Sequence, residues 1–328
     1  MCANKASSLL VCVLAVILLL LSPGKGQART QTDSSPKVTS TDQQKCIPSI
    51  LTLLFKSKDK IEGEKVFGVT VDDISNISEI RDALLSFTIR PYARIVFDEY
   101  VSPSYYKETV QDLHSVAGIM GEILDSMYMA EYSLAEYELR VREYIDLLKE
   151  HVDIWEIGNE INGEWLGDNA MAKASAAYSI AKNAGEPTAL TLYYNGTYNN
   201  GEPSAENCWE DSEHQMQVWA RNNIPEDMKQ GLDWVLVSFY ENDCENISPD
   251  WESIFSELHE IFPSAKLGFG EIGTTVNAQK ENFVRKYYGM ERVRPQFIGG
   301  YFWWYFKQDM VPKSKTLWSV LNEYAKPW

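Results

Sequence analysis

From Lys65 onward, short apolar runs alternate with stretches whose apolar residues recur at three- and four-residue steps. Such alternation marks repeated strand–helix units around a parallel sheet. Eight strands are expected: Val66–Val71, Ala93–Phe97, Val116–Ile123, Ile154–Gly158, Ala189–Tyr194, Trp234–Phe239, Leu267–Gly270 and Phe297–Trp304. Of the helices between them, 134–151 is the clearest, because Leu134, Tyr137, Val141, Tyr144, Ile145 and Leu148 share one helical face. Weaker helices are expected over 170–183, which is rich in alanine, 252–261 and 278–288.

Eight units in one uninterrupted stretch match a single (β/α)8 TIM barrel, a fold of about 250 residues. The competing arrangement, an open doubly wound sheet, lacks support because no glycine-rich phosphate loop follows the first strand.

The N-terminus breaks the pattern. Lys5 precedes the apolar run from Leu9 to Leu21, and Gly26-Gln27-Ala28 supplies small residues at a cleavage position. Residues 1–28 therefore read as a secretory signal peptide, the run being shorter than the ~18 residues of a membrane span. An uncleaved anchor is the alternative. Residues 29–45 are polar and read as a disordered lead-in, with the folded domain spanning 46–328 and residues 46–64 packing as an extension of the barrel.

Two strand ends carry candidate chemistry. Asp153-Ile-Trp-Glu-Ile-Gly-Asn-Glu160 is a buried strand that runs out on an amide and an acid. In Lys266-Leu-Gly-Phe-Gly-Glu271, a second glycine-rich strand again ends on a glutamate. Two carboxylates presented from strand ends are what glycoside hydrolysis requires.

Counted from Val66, Asn159-Glu160 falls on the fourth strand and Glu271 on the seventh. In this the chain resembles the retaining glycoside hydrolases of clan A, barrels with Asn-Glu ending the fourth strand and a glutamate ending the seventh. The resemblance implies a general acid/base at Glu160, a nucleophile at Glu271 and an Asn159 that bonds the sugar 2-hydroxyl. Because strand side chains alternate, Asn159 and Glu160 can both serve one site only if the chain bends there. It further implies that Arg94, in Ala93-Arg-Ile-Val-Phe97, lies near the nucleophile, and that Tyr240, ending the sixth strand, hydrogen-bonds it. For Arg94 the alternative is an ion pair closing the barrel bottom, and for Tyr240 ordinary packing.

Trp303 and Trp304 end the eighth strand; one should offer its ring to a sugar, the other face the helices. Trp165 and Trp209, in loops after the fourth and fifth strands, are either further sugar surface or plugs under their loops. Glu156 is expected to point inward below the site and Glu164 to be a loop residue. Asp72-Asp73 and Asp98-Glu99 also follow strands and read as solvated loop acids. The histidines, His114, His151, His214 and His259, lack metal-site spacing, and no Gly-x-Ser-x-Gly elbow is present. No metal or other cofactor is expected.

Charge narrows the substrate. The chain carries 30 basic and 47 acidic residues, a formal charge of −17 that becomes −19 when Lys5 and Lys25 leave with the signal. Nucleic acid, anionic membranes and polyanionic sugars are disfavoured, and a neutral polysaccharide fits better. The expectation is a secreted monomer acting on β-mannan, β-glucan or xylan; a catalytically silent carbohydrate-binding barrel or an adhesive protein are the rivals. Of Cys46, Cys208 and Cys244, which remain after signal removal, Cys208 with Cys244 is the favoured disulfide, the other pairings staying open. Sequons at Asn76, Asn195 and Asn246 agree with secretion.

Overall fold

A computed structural model describes residues 65–196, 212–242 and 248–328, together with the backbone of a small antiparallel pair, Tyr198–Asn199 with Glu202–Pro203. The expectations for the signal peptide, the lead-in, residues 46–64, all three remaining cysteines, Trp209 and the Asn246 sequon fall outside the described residues.

Eight parallel strands close into a barrel in sequence order: β1 (Val66–Val71), β2 (Tyr92–Val96), β3 (Gly118–Glu122), β4 (Ile154–Glu156), β5 (Thr188–Tyr193), β6 (Trp234–Phe239), β7 (Lys266–Ile272) and β8 (Phe297–Trp303), which returns to pair with β1. The fold is thus a (β/α)8 barrel. Between the strands run α1 (Ile77–Leu85), α2 (Pro103–His114), α3 (Leu134–Leu148), α4 (Ala170–Asn183), α5 (Met216–Asn223), α6 (Glu226–Gly231), α7 (Trp251–Ile261) and α8 (Lys280–Tyr288). Two short helices, α9 (Phe306–Met310) and α10 (Thr316–Asn322), follow β8. No described helix is long and apolar enough to cross a membrane.

Local signals explain the boundaries. Ser133 caps α3 with a reciprocal capping box, its hydroxyl facing the Glu136 amide while Glu136 reaches back to the Ser133 N–H. The alanines of α4, with Ala174, Ala177 and Ala181 fully buried, let that helix lie close against its neighbours. Strand β4 is only three residues long, shorter than the apolar run suggests, because the chain leaves the sheet before Gly158.

The lumen changes character with height. Val66, Met120, Ile154, Ala189, Leu236, Ile298 and Phe302 form a buried apolar layer inside the barrel, with Tyr92 and Trp234 packed beneath it. Since side chains on one face recur every second residue, the next layer falls on Arg94, Glu122, Glu156, Thr191 and Ser238, and it is polar. A six-strand apolar plug thus supports a charged floor under the C-terminal mouth, where such barrels hold their sites.

Strand β8 is irregular. Gly299, Gly300, Tyr301 and Phe302 all have positive φ, at 83°, 84°, 70° and 31°, and the registers with β1 and β7 both slip along this strand. Such a bulge re-aims the side chains that follow it.

One sequon is corrected by burial. Asn195 is fully buried, its Nδ2 donating to the His214 carbonyl at 3.0 Å and its Oδ1 accepting from the Met216 amide at 3.2 Å. The folded barrel has no room for a glycan on that nitrogen. Asn76, by contrast, is exposed in a left-handed turn before α1.

Candidate active site

The charged floor is organised around Arg94, which β2 places wholly inside the barrel. Its Nε and Nη2 donate to the two oxygens of Glu156 at 2.6 and 3.1 Å, and its Nη1 donates to Glu271 Oε2 at 2.8 Å. Nη2 also lies 3.1 Å from Glu122 Oε2. One guanidinium therefore faces three buried carboxylates, among them Glu271, and it lies above the apolar layer rather than at the barrel bottom. Thr191 adds a hydroxyl bond to Glu156. Glu122 makes no hydrogen bond through either oxygen, and burial, opposed by Arg94 and reinforced by Glu156, holds its pKa far above the carboxylate range. The hydrogen bonds from the guanidinium go to Glu156 and Glu271 instead.

Glu271, near the end of β7, takes a second bond from the Tyr240 hydroxyl, 2.5 Å from its Oε1. Burial pushes its pKa up to about 8; Arg94 pulls it down, Glu160 pushes it further up, and Tyr240 pulls it down.

Glu160 reaches the same place by a backbone bend. Beyond β4 it adopts φ +48°, a left-handed conformation that a non-glycine residue seldom takes outside functional turns. The bend expected for Asn159 and Glu160 to share a site is present. The Ser238 hydroxyl donates to Glu160 Oε1 at 2.6 Å and the Ser126 hydroxyl to Oε2 at 2.9 Å. Ser238 is the β6 residue in register with Glu271, so the two glutamates flank it. Burial raises the Glu160 pKa above its ordinary value, against the pull of Ser238 and Ser126.

Two neighbouring buried carboxyls resist carrying two charges, and their partners decide which of them keeps a proton. Arg94 can only donate, so it favours a charged Glu271; serine hydroxyls can donate or accept, so they tolerate a protonated Glu160. The arrangement is a proton donor beside a carboxylate in a dry, preorganised setting.

Asn159 is buried beside Glu160, and its Oδ1 has no hydrogen-bond partner. The tryptophans separate cleanly. Trp304 is half-buried with its ring 5.6 Å from the Arg94 guanidinium carbon, at the site. Trp303 is fully buried, donates from Nε1 to Asp309 at 3.0 Å and packs in the core outside the lumen, so its expected place among the substrate-binding residues is overturned. Trp165 stands half-buried and edge-on to Tyr193, ring centroids 5.9 Å apart. Glu164 is exposed, Asp73 pairs with Lys307, and Asp98 accepts from Tyr106, all outside the floor. No group of residues able to hold a metal ion occurs among the described residues.

Sequence reading missed Glu122, Ser126, Thr191 and Ser238. The two-residue spacing from Met120 to Glu122 and from Ala189 to Thr191, parallel to that from Ile154 to Glu156, was the available signal.

No family model matches the chain, and no curated protein matches it in sequence. Among solved structures, Gas2 of Saccharomyces cerevisiae bound to a small compound superposes with a TM-score of 0.52 at 14% identity, over 82% of this chain and 67% of that one. An apo structure of a single-residue mutant of the same yeast protein gives 0.52 at 13% identity, over 82% and 63%. The same protein with laminaritriose and laminaritetraose gives 0.48 at 14% identity, over 80% and 65%. This chain thus spans about two thirds of the yeast protein, and what the two share is the (β/α)8 barrel fold.

Proposed function

We propose that this chain is a secreted retaining glycoside hydrolase that cleaves β-glycosidic bonds in a neutral polysaccharide, β-mannan, β-glucan or xylan. The observation that carries the reading is the pairing of Glu160 and Glu271 across Ser238 with opposite sets of partners, hydroxyls on one and a cation with a phenol on the other.

In this mechanism a Glu271 oxygen attacks the anomeric carbon while Glu160 gives its proton to the leaving glycosidic oxygen. The aglycone departs as an alcohol and Glu271 is left as a glycosyl ester. Glu160, now ionised, takes a proton from water as the water oxygen attacks the same carbon, which frees Glu271 and restores the starting protonation. Arg94 and Tyr240 hold the attacking carboxylate in place, Trp304 offers a ring face to the sugar, and the unpartnered Asn159 amide faces a sugar hydroxyl.

The test is hydrolysis of mannan, β-1,3- and β-1,4-glucan and xylan by the secreted chain beside Glu160→Gln and Glu271→Gln, with the anomer of the first product read by NMR. Turnover with retained configuration, lost in both variants, is expected. Inverted product overturns the double displacement. A wild type silent on every glycan yet retained by one of them on a column replaces the enzyme reading with a carbohydrate-binding barrel.

A further inference from the structure

We propose that the loops after β2 and β3 form a distal subsite for a neutral glycan chain, with Tyr100 as its stacking platform. The proposal rests on the glycosidase reading of the site and names where the rest of a long substrate lies.

Tyr100 is 69% exposed, which for a tyrosine on the mouth face of a barrel calls for an explanation. It is also held rigidly. One ring face stacks on the buried Tyr132, centroids 5.0 Å apart and planes 12° from parallel. Its hydroxyl donates to Glu131 Oε2 at 2.9 Å, and its backbone N–H donates to the Tyr132 hydroxyl at 2.6 Å. The residue keeps φ +56°, a strained value that these ties maintain. The second ring face is left open. A flat, immobilised apolar face costs little entropy when a ligand settles on it, which is how sugar rings are received.

A continuous path joins this ring to the catalytic carboxyls. The turn Ser126–Glu131 spans the interval: Glu131 accepts from the Tyr100 hydroxyl at one end, and at the other the Ser126 hydroxyl donates to Glu160. Asp125 accepts from the Met127 amide at 2.8 Å through one oxygen, and that turn also carries Ser126 to Glu160. Met127, 68% exposed, adds apolar surface to the same turn.

The chemistry of the strip selects its ligand. Residues 97–102 and 125–133 contain four acids and no lysine or arginine. Carboxylates accept from sugar hydroxyls and repel anions, so the occupant is an uncharged glycan. An aromatic face set apart from the catalytic pair by the turn Ser126–Glu131 fits a chain several units long better than a disaccharide.

The experiment compares kcat/KM on manno- and laminari-hexaose with that on nitrophenyl β-mannoside and β-glucoside, for wild type and Tyr100→Ala. The hexaose-to-aryl-glycoside ratio is expected to fall about tenfold in Tyr100→Ala, the scale of one lost stacking contact. Tyr100→Trp, which keeps a platform, is expected to restore it. An unchanged ratio, or equal loss on both substrate types, overturns the subsite. If the wild type turns over nothing, the glycosidase reading fails by itself, and calorimetry of both hexaoses against wild type and Tyr100→Ala decides the subsite: weaker binding by the variant supports it, and equal or absent binding overturns it.

Discussion

Arg94 grips Glu156 with two nitrogens and leaves a single Nη1 for Glu271. The bidentate pair fixes the guanidinium plane, so the orientation of the proposed nucleophile is set by a carboxylate that never meets substrate. Glu156→Gln removes the charge and weakens the fork while Arg94 keeps Glu271 and Glu122 as neighbours. The fold is expected to survive with kcat lowered about 10- to 100-fold, as for loss of an orienting group. Circular dichroism beside steady-state rates checks both halves.

Arg94→Met is a different matter. It leaves Glu122, Glu156 and Glu271 buried without a cation. Removing one partner of a buried pair costs about 3–5 kcal/mol. Urea unfolding at pH 7 reads it.

The elevated pKa of Glu271 is itself a cost to folding. Its value of about 8 lies above the ordinary 4.5, so the folded state binds the proton more tightly than the unfolded one. The penalty is absent below pH 4.5 and grows as pH rises toward 8. Glu271→Gln should therefore raise stability at pH 7, by on the order of 3 kcal/mol, and have no such effect near pH 4. Melting curves across that range test the sign.

Activity should follow a bell with pH. The acid limb follows protonation of the Glu271 nucleophile, and the alkaline limb follows loss of the proton from Glu160, whose pKa burial raises. Ser238 lowers the Glu160 pKa by donating to its charged form. Ser238→Ala thus moves the alkaline limb to higher pH. Tyr240→Phe removes a donor from Glu271, raises that group's pKa and moves the acid limb upward. The kcat/KM profiles of the two variants are expected to shift at opposite limbs.

The adjacent indoles should respond differently to truncation. Trp304→Ala removes a ring at the site and is expected to raise KM several-fold with the fold intact. Trp303→Ala empties a core position and should cost about 3–5 kcal/mol of stability. Thermal unfolding and Michaelis curves for the two variants separate the effects.

What the sequence made legible was periodic. Apolar alternation located all eight strands, and the ordinal positions of Asn159-Glu160 and Glu271 singled out two glutamates that flank Ser238 in the fold. What stayed hidden depends on breaks in period. Four consecutive left-handed residues in β8 decide that Trp304, and not Trp303, turns to the site, and nothing in Gly-Gly-Tyr-Phe-Trp-Trp announces that beyond its two glycines. Glu122 lies in a run with Gly and Ile and reads as an edge residue until its neighbours across β2 and β4 are known. The burial of Asn195 follows from a polar network between loops distant in sequence, which a triplet motif cannot reveal.

The closure of β8 on β1 has a consequence for how this chain comes to be folded. The Thr70 hydroxyl meets the Phe302 carbonyl 232 residues away, and Val66 pairs with Gly299 across the same seam. Contacts of that span form late, because the loop entropy must be lost before they reward it. During synthesis the β1 edge waits unpaired until β8 emerges, and both are open templates for another chain. The seam that completes the barrel is thus also its period of greatest exposure to aggregation, and a chain cut before Phe297 has no means of ending it.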